Sequence, residues 1–187
     1  MRALPLLILG ALIVGGAASS PGRSPAPDRL EKFPALGFGF ERSARLEARQ
    51  VPPESEGLLL LYATKNAPND RAAPCTHRVY RIEGPGLDAT AVRAWVQGTF
   101  PTADVAEERS VRERYGRSPV RLTGRFVVED LERGLFVHAW TGPEDAVVFV
   151  GECEEGLYRR ERRAFDRAAS SFRFFDQAEV DLGRKQW

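Results

Sequence analysis

Asp145-Ala146-Val147-Val148-Phe149-Val150-Gly151-Glu152-Cys153-Glu154-Glu155, followed through to the aromatic cluster Phe172, Phe174 and Phe175, is the stretch on which the fold turns. The apolar run Ala146–Val150 is short and sharply bounded, which predicts a strand buried on both faces. Gly151-Glu152-Cys153 reads as a turn. Beyond it Leu157, Tyr158, Ala164, Phe165, Ala168, Ala169 and Phe172 recur on one helical stripe. Arg159, Arg160, Arg162, Arg163, Asp166 and Arg167 fall on the other face, with Glu161 at the stripe's edge. Glu152, Glu154 and Glu155 come first and the arginines later, the order a helix dipole favours. The stretch is a strand feeding an amphipathic helix.

Upstream, Val120, Leu122, Phe126 and Val128 alternate with Arg121, Thr123, Arg125 and Glu129, giving a half-buried strand. A turn over Asp130–Gly134 leads to Leu135–Trp140, and Thr141–Glu144 turns back into Ala146–Val150, so three strands form an antiparallel meander. Asp88 is placed to cap a helix over Ala89–Gln97, with Gly98 as its terminator and Trp95 on its apolar face. Further strands are expected at Leu36–Phe40, around Leu46 as an edge strand, at Leu58–Ala63 and at Thr76–Glu83. In the last of these, Val79 points opposite to Tyr80 and Ile82. Asp104–Gly116 fits neither period cleanly and leans towards strand, and Lys65–Pro74 is a polar loop. The fold class is α+β: a central, mainly antiparallel sheet packed by helices.

The N-terminus has a different character. Arg2, an apolar stretch over Leu6–Val14 and the small residues Gly16-Ala17-Ala18 make residues 1–18 a secretory signal peptide. The apolar run is about 15 residues at most, short of the roughly 20 of a spanning helix; retention as an uncleaved anchor is the other reading. Residues 19–32, rich in Ser and Pro at their start, are expected to be a tether, and 33–187 a single domain. Removing residues 1–18 takes only Arg2 from the 27 basic and 26 acidic residues, so the remainder is neutral. A neutral chain has no global field to gather nucleic acid or anionic lipid. Export to the periplasm or beyond is the expected localisation.

Cys75 and Cys153 are the two cysteines. In an exported chain such a pair predicts a disulfide, closing a loop of about 79 residues; two separate buried thiols are the alternative. Cys75-Thr76-His77, with His138 and Cys153, holds the residue types of a zinc or copper site. His138 lies between Phe136 and Trp140, the setting of a packed histidine, and the preferred reading is a disulfide beside two unrelated histidines, with no metal or other cofactor. The acidic cluster at residues 152–155 is read as helix-start electrostatics and not as a calcium site. There is no G-x-S-x-G elbow, phosphate-binding glycine loop, dinucleotide fingerprint or C-x-x-C, and no catalytic residue is assigned. Arg159, Arg160, Arg163 and Arg167 form either a solvated helix face or a docking surface for an acidic partner. Trp95 and Trp140 are candidates for lining a small-ligand or lipid site between sheet and helix.

The order of elements over Phe33–Phe175, and above all Ala146–Val150 followed by a helix ending in Ser170-Ser171-Phe172-Arg173-Phe174, resembles the PsbP-like fold, an α/β/α sandwich. That fold is shared by the extrinsic PsbP subunit of photosystem II, a nuclear Ran-binding factor and many exported bacterial proteins. The chain departs from it in carrying the Cys75/Cys153 pair, and it has no recognisable metal or partner motif to carry across. The resemblance implies an accessory role without catalysis, here an exported binding or assembly module for an unknown envelope protein. The competing expectations are a small-ligand or lipid-binding protein and a small hydrolase using carboxylates near Lys65–Pro74.

Overall fold

The computed structural model describes residues 29–69, 72–108 and 116–175. The residues read as a signal peptide, those read as tether up to residue 28, residues 109–115 of the Asp104–Gly116 segment and residues 176–187 lie outside that range. The first strand, β1 (Arg29–Phe33), begins inside the stretch read as tether. Its Glu31 explains the early start, since it is paired with Arg42 at 2.5 Å and accepts a hydrogen bond from Tyr62 Oη at 2.7 Å.

Next come β2 (Phe38–Arg42), β3 (Leu46–Arg49), β4 (Leu58–Thr64), β5 (Cys75–Glu83), α1 (Ala89–Thr99) and β6 (Asp104–Glu108). The chain continues through β7 (Ser118–Val128), β8 (Leu131–Thr141), β9 (Asp145–Glu154), α2 (Glu155–Ser170) and β10 (Arg173–Phe174). Seven strands form one sheet in the order β3-β4-β5-β9-β8-β7-β6, and β1-β2-β10 form a second. Every pairing is antiparallel. The α+β expectation and the C-terminal meander hold.

Period-two alternation divides the large sheet into two faces. Val79, Phe136, Trp140 and Phe149 meet Phe165, Ala168 and Ala169 of α2, together with Phe38 and Phe40 of the small sheet. Tyr80, Leu122, Val137, Val148 and Val150 meet Val92 and Val96 of α1 and Phe100 just past its end. A helix thus lies on each face of the sheet. Phe172, just past α2, stacks on Phe40 (4.8 Å) and Trp140 (4.2 Å), so the apolar stripe outlasts the helix.

Several boundaries differ from the sequence reading. Gly151-Glu152-Cys153 is not a turn: β9 runs on to Glu154, paired with β5 on one side and β8 on the other. The glycine is there for close approach, because a Cβ on Gly151 would lie 2.5 Å from the Phe165 ring. Gly134 serves Tyr158 in the same way, and α2 therefore sits low on the sheet. Glu152 consequently belongs to the sheet interior and not to the helix start. Helix α1 continues through Gly98 because buried Phe100 closes its end, donating from its N–H to the Val96 carbonyl at 2.8 Å. Asp88 caps it as expected, accepting from Ala91 N at 2.9 Å. The β7–β8 turn is only Glu129-Asp130, both at positive φ (50° and 63°), the pattern of a type I′ hairpin. Leu36 closes a short 3-10 turn, Pro34–Leu36, instead of opening a strand.

Candidate functional site

Of the residues singled out in the sequence, Cys75, His77 and Arg160 converge beneath the N-terminal half of α2. Cys-x-His on a strand puts both side chains on one face, and Cys75 and His77 indeed share the α2 face of β5. They line a cavity of about 220 Å³ closed by Leu46, Leu157 and Phe165. At its mouth Arg45 Nη1 and Arg160 Nε each lie 3.0 Å from the same oxygen of Glu161. The two guanidinium groups are about two-thirds exposed, whereas the Glu161 side chain is only 12% exposed.

Cys153 is the direct cross-strand partner of Cys75. The Cys75 N–H and carbonyl turn away from β9 to the Thr64 hydroxyl (3.0 and 3.1 Å), while Glu154 N–H reaches the Pro74 carbonyl at 2.9 Å. The cysteines therefore occupy a non-hydrogen-bonded pair, where strands bring their Cα atoms closest. Both are buried, and both are free thiols. The hydrogen bond with Cys75, then burial, pushes the Cys153 thiol far above its usual range.

His77 is 1% exposed, its ring edge-on to Phe149 (5.1 Å) and Phe165 (5.3 Å), and its Nδ1 has no hydrogen-bond partner. Burial, and then the charge of Arg42, lowers its pKa to about 3, so the imidazole is neutral. His138 is also lowered to about 3, by burial and Arg121. It stacks on Trp140 at 4.4 Å, and its opposite number on β9 is Phe149, the residue whose ring meets His77. Among the described residues no group of three or more His, Cys, Asp or Glu is disposed to hold a metal ion.

Trp140 is a core residue, stacked between His138 and Phe172. Trp95 lies on the opposite face of the sheet, against Tyr80 (4.9 Å) and a broad open groove beside α1. The two tryptophans share no site. Arg159, Arg160, Arg163 and Arg167 are all exposed along α2. The described part of the Lys65–Pro74 loop is held by backbone-directed contacts, including Arg49 Nη2 to the Ala67 carbonyl (2.7 Å) and Asn69 Oδ1 to Ala72 N–H (2.7 Å).

One polar constellation escaped the sequence reading. On the α1 face of the sheet, buried Glu152 accepts from Thr76 Oγ1 at 2.6 Å and is in a close ion pair with Arg78. Arg133 Nε lies 3.6 Å from the other Glu152 oxygen, and its Nη2 donates to the Ala73 carbonyl at 3.0 Å. Burial first, and then Arg78, lowers the Arg133 pKa. The available signal was strand phase: continuing the alternation of Val148 and Val150 puts Glu152 on an inward face.

No protein-family model matches the chain, and no curated protein matches it in sequence. Solved structures do. Cyanobacterial PsbP (CyanoP) from Synechocystis is similar at 18% identity and a TM-score of 0.60, over 86% of this chain and 100% of that one. LpqN of Mycobacterium tuberculosis, described as involved in cell envelope biogenesis, matches at 8% identity and a TM-score of 0.50, over 80% and 86%. A Bacteroides thetaiotaomicron protein matches at 10% identity and 0.50, over 81% of this chain and 50% of its own. The chain has a PsbP-like fold. No helix among the described residues is long and apolar enough to cross a membrane.

Proposed function

We propose that this chain is a non-catalytic accessory module, acting outside the cytoplasm, that docks an acidic protein surface on the outer face of α2. One observation carries the reading. The carboxylates of α2 are engaged by arginines: Glu155 by Arg125 (3.7 Å), Glu161 by Arg45 and Arg160, and Asp166 by Arg121 (3.2 Å). Arg159 and Arg163 are exposed and have no described charged partner, so the helix presents unneutralised guanidinium groups suited to paired contacts with carboxylates. The signal-like residues 1–18 support export, and the fold shared with PsbP and LpqN supports an accessory role.

The test is quantitative capture from cell-envelope extract by the tagged protein and by an Arg159→Glu/Arg163→Glu variant, at low and moderate salt. An acidic partner should be retained by the wild type, released as salt rises, and lost at least tenfold by the variant. Equal recovery by both proteins, or salt-independent capture, refutes the surface.

A further inference from the structure

Docking on α2 does not explain why two free thiols face each other beneath that helix, one of them beside a cavity. We infer that Cys75 and Cys153 are a thiol–disulfide exchange centre of the folded protein: Cys75, reached through the cavity, reacts first with a small disulfide, and Cys153 completes the exchange. Cross-strand partners at a non-hydrogen-bonded position have Cα atoms about 4.5 Å apart, within the roughly 4.4–6.8 Å that a disulfide spans, so the bond can close without displacing either strand.

The two sulfurs are not equivalent. Cys75 lies on the α2 face of β5, lines the cavity and is 8% exposed, whereas Cys153 is wholly buried between β5 and β8. A disulfide entering from solvent therefore meets Cys75 first. The cavity, about 220 Å³ with apolar walls from Leu46, Leu157 and Phe165, leaves room for a short thiol carried on that sulfur. Hydrogen bonding with Cys75, and then burial, keeps the Cys153 thiol protonated, so it does not compete as the first nucleophile.

Two exchanges balance the chemistry. The Cys75 thiolate attacks one sulfur of R–S–S–R, that S–S bond breaks, one RS⁻ leaves, and Cys75 carries R as a mixed disulfide. The hydrogen bond and charge that Cys75 had imposed on Cys153 are then gone, which removes the leading cause of its raised pKa. The Cys153 thiolate attacks the Cys75 sulfur and the second RS⁻ leaves. The dithiol has lost two electrons and two protons, and R–S–S–R has become two RSH.

The experiment treats the native full chain with bis(2-hydroxyethyl) disulfide and follows it by intact-protein mass spectrometry, with samples quenched in acid. The wild type should end with Cys75 joined to Cys153, and the transient mixed disulfide, mapped by peptide, should sit on Cys75. Cys153→Ala should stop at a single mercaptoethanol adduct on Cys75, and Cys75→Ala should react about tenfold more slowly. Leu157→Trp, which narrows the cavity, should slow the first step about fivefold. Wild-type reaction should also outpace global unfolding, read from hydrogen exchange of the β9 amides. If either cysteine variant fails to fold, the trapped wild-type intermediate and the comparison with unfolding still decide. A first adduct on Cys153, equal rates for the two cysteine variants, or reaction no faster than unfolding overturns the inference.

Discussion

Replacing Glu152 by Gln should be among the most damaging single changes available to this fold. The substitution keeps side-chain volume and an acceptor for Thr76, so packing is nearly unchanged. What it removes is the counter-charge of Arg78 and Arg133, the latter only 3% exposed. Stranding a buried charge costs about 3–5 kcal/mol, a large share of the roughly 5–15 kcal/mol that holds a typical domain together. The asymmetry of the cluster sharpens the expectation. Arg133 Nε has no hydrogen-bond partner, and Glu152 keeps Arg78 and Thr76 without it. Arg133→Met should therefore cost no more than about 1 kcal/mol, mainly the donor to the Ala73 carbonyl. With one stranded charge gone, Glu152→Gln/Arg133→Met should be less destabilised than Glu152→Gln alone, a positive coupling of about 1–2 kcal/mol. Urea unfolding followed by tryptophan fluorescence reads all four proteins. A Glu152→Gln cost under 1 kcal/mol, or Arg133→Met costing more than Glu152→Gln, refutes the reasoning.

Acid should destabilise the protein through its two histidines. Both are neutral when folded down to about pH 3, while in the unfolded chain they bind protons below about 6.5, so unfolding takes up protons between these limits and stability falls with pH. Each contributes about 2 kcal/mol of the loss from pH 7 to 5; His138→Gln should flatten the profile by that amount, and an unchanged slope contradicts the assignment. Gly151→Ala should cost about 1–3 kcal/mol by pushing Phe165 off the sheet, and a variant melting with the wild type would show that α2 tolerates lifting. Oxidised glutathione should join Cys75 to Cys153, releasing two glutathione thiols and leaving no titratable thiol in the denatured protein. The bridge should add about 4–5 kcal/mol by the chain-entropy estimate; two thiols persisting after long oxidation would rule out the pairing.

Periodicity made the meander, both helices and the two faces of the sheet legible, because burial on one side of a strand or helix writes itself into spacing. Val79 against Tyr80 and Ile82 is a clear case. Errors arose where a local signal was overridden by a distant contact. Gly151 looked like a turn because the Phe165 ring that requires it lies on another element. Gly98 looked like a stop because nothing nearby shows that Phe100 is buried. Glu129-Asp130 carries none of the glycine that usually announces a two-residue hairpin. At the candidate site, the Cys75/His77 pairing was readable from Cys-x-His. The cavity was not, since Leu46 reaches it from β3 and Glu161 and Phe165 from α2, both far in sequence from Cys75 and His77.

The small sheet has a consequence for how the chain comes to be folded. Strand β10, at the end of the described chain, pairs with β2 near its beginning, and Phe172 stacks on Phe38 and Phe40. A polypeptide emerging from its N-terminus cannot close that core until residues 172–174 are free, whereas β7, β8, β9 and α2 have their partners close in sequence. Local pairing forms ahead of distant pairing, so β1–β2 and β3–β4–β5 pair early, and it is the aromatic core around Phe38 and Phe40 that waits for Phe172. The small sheet is thereby the last part of the described fold to close.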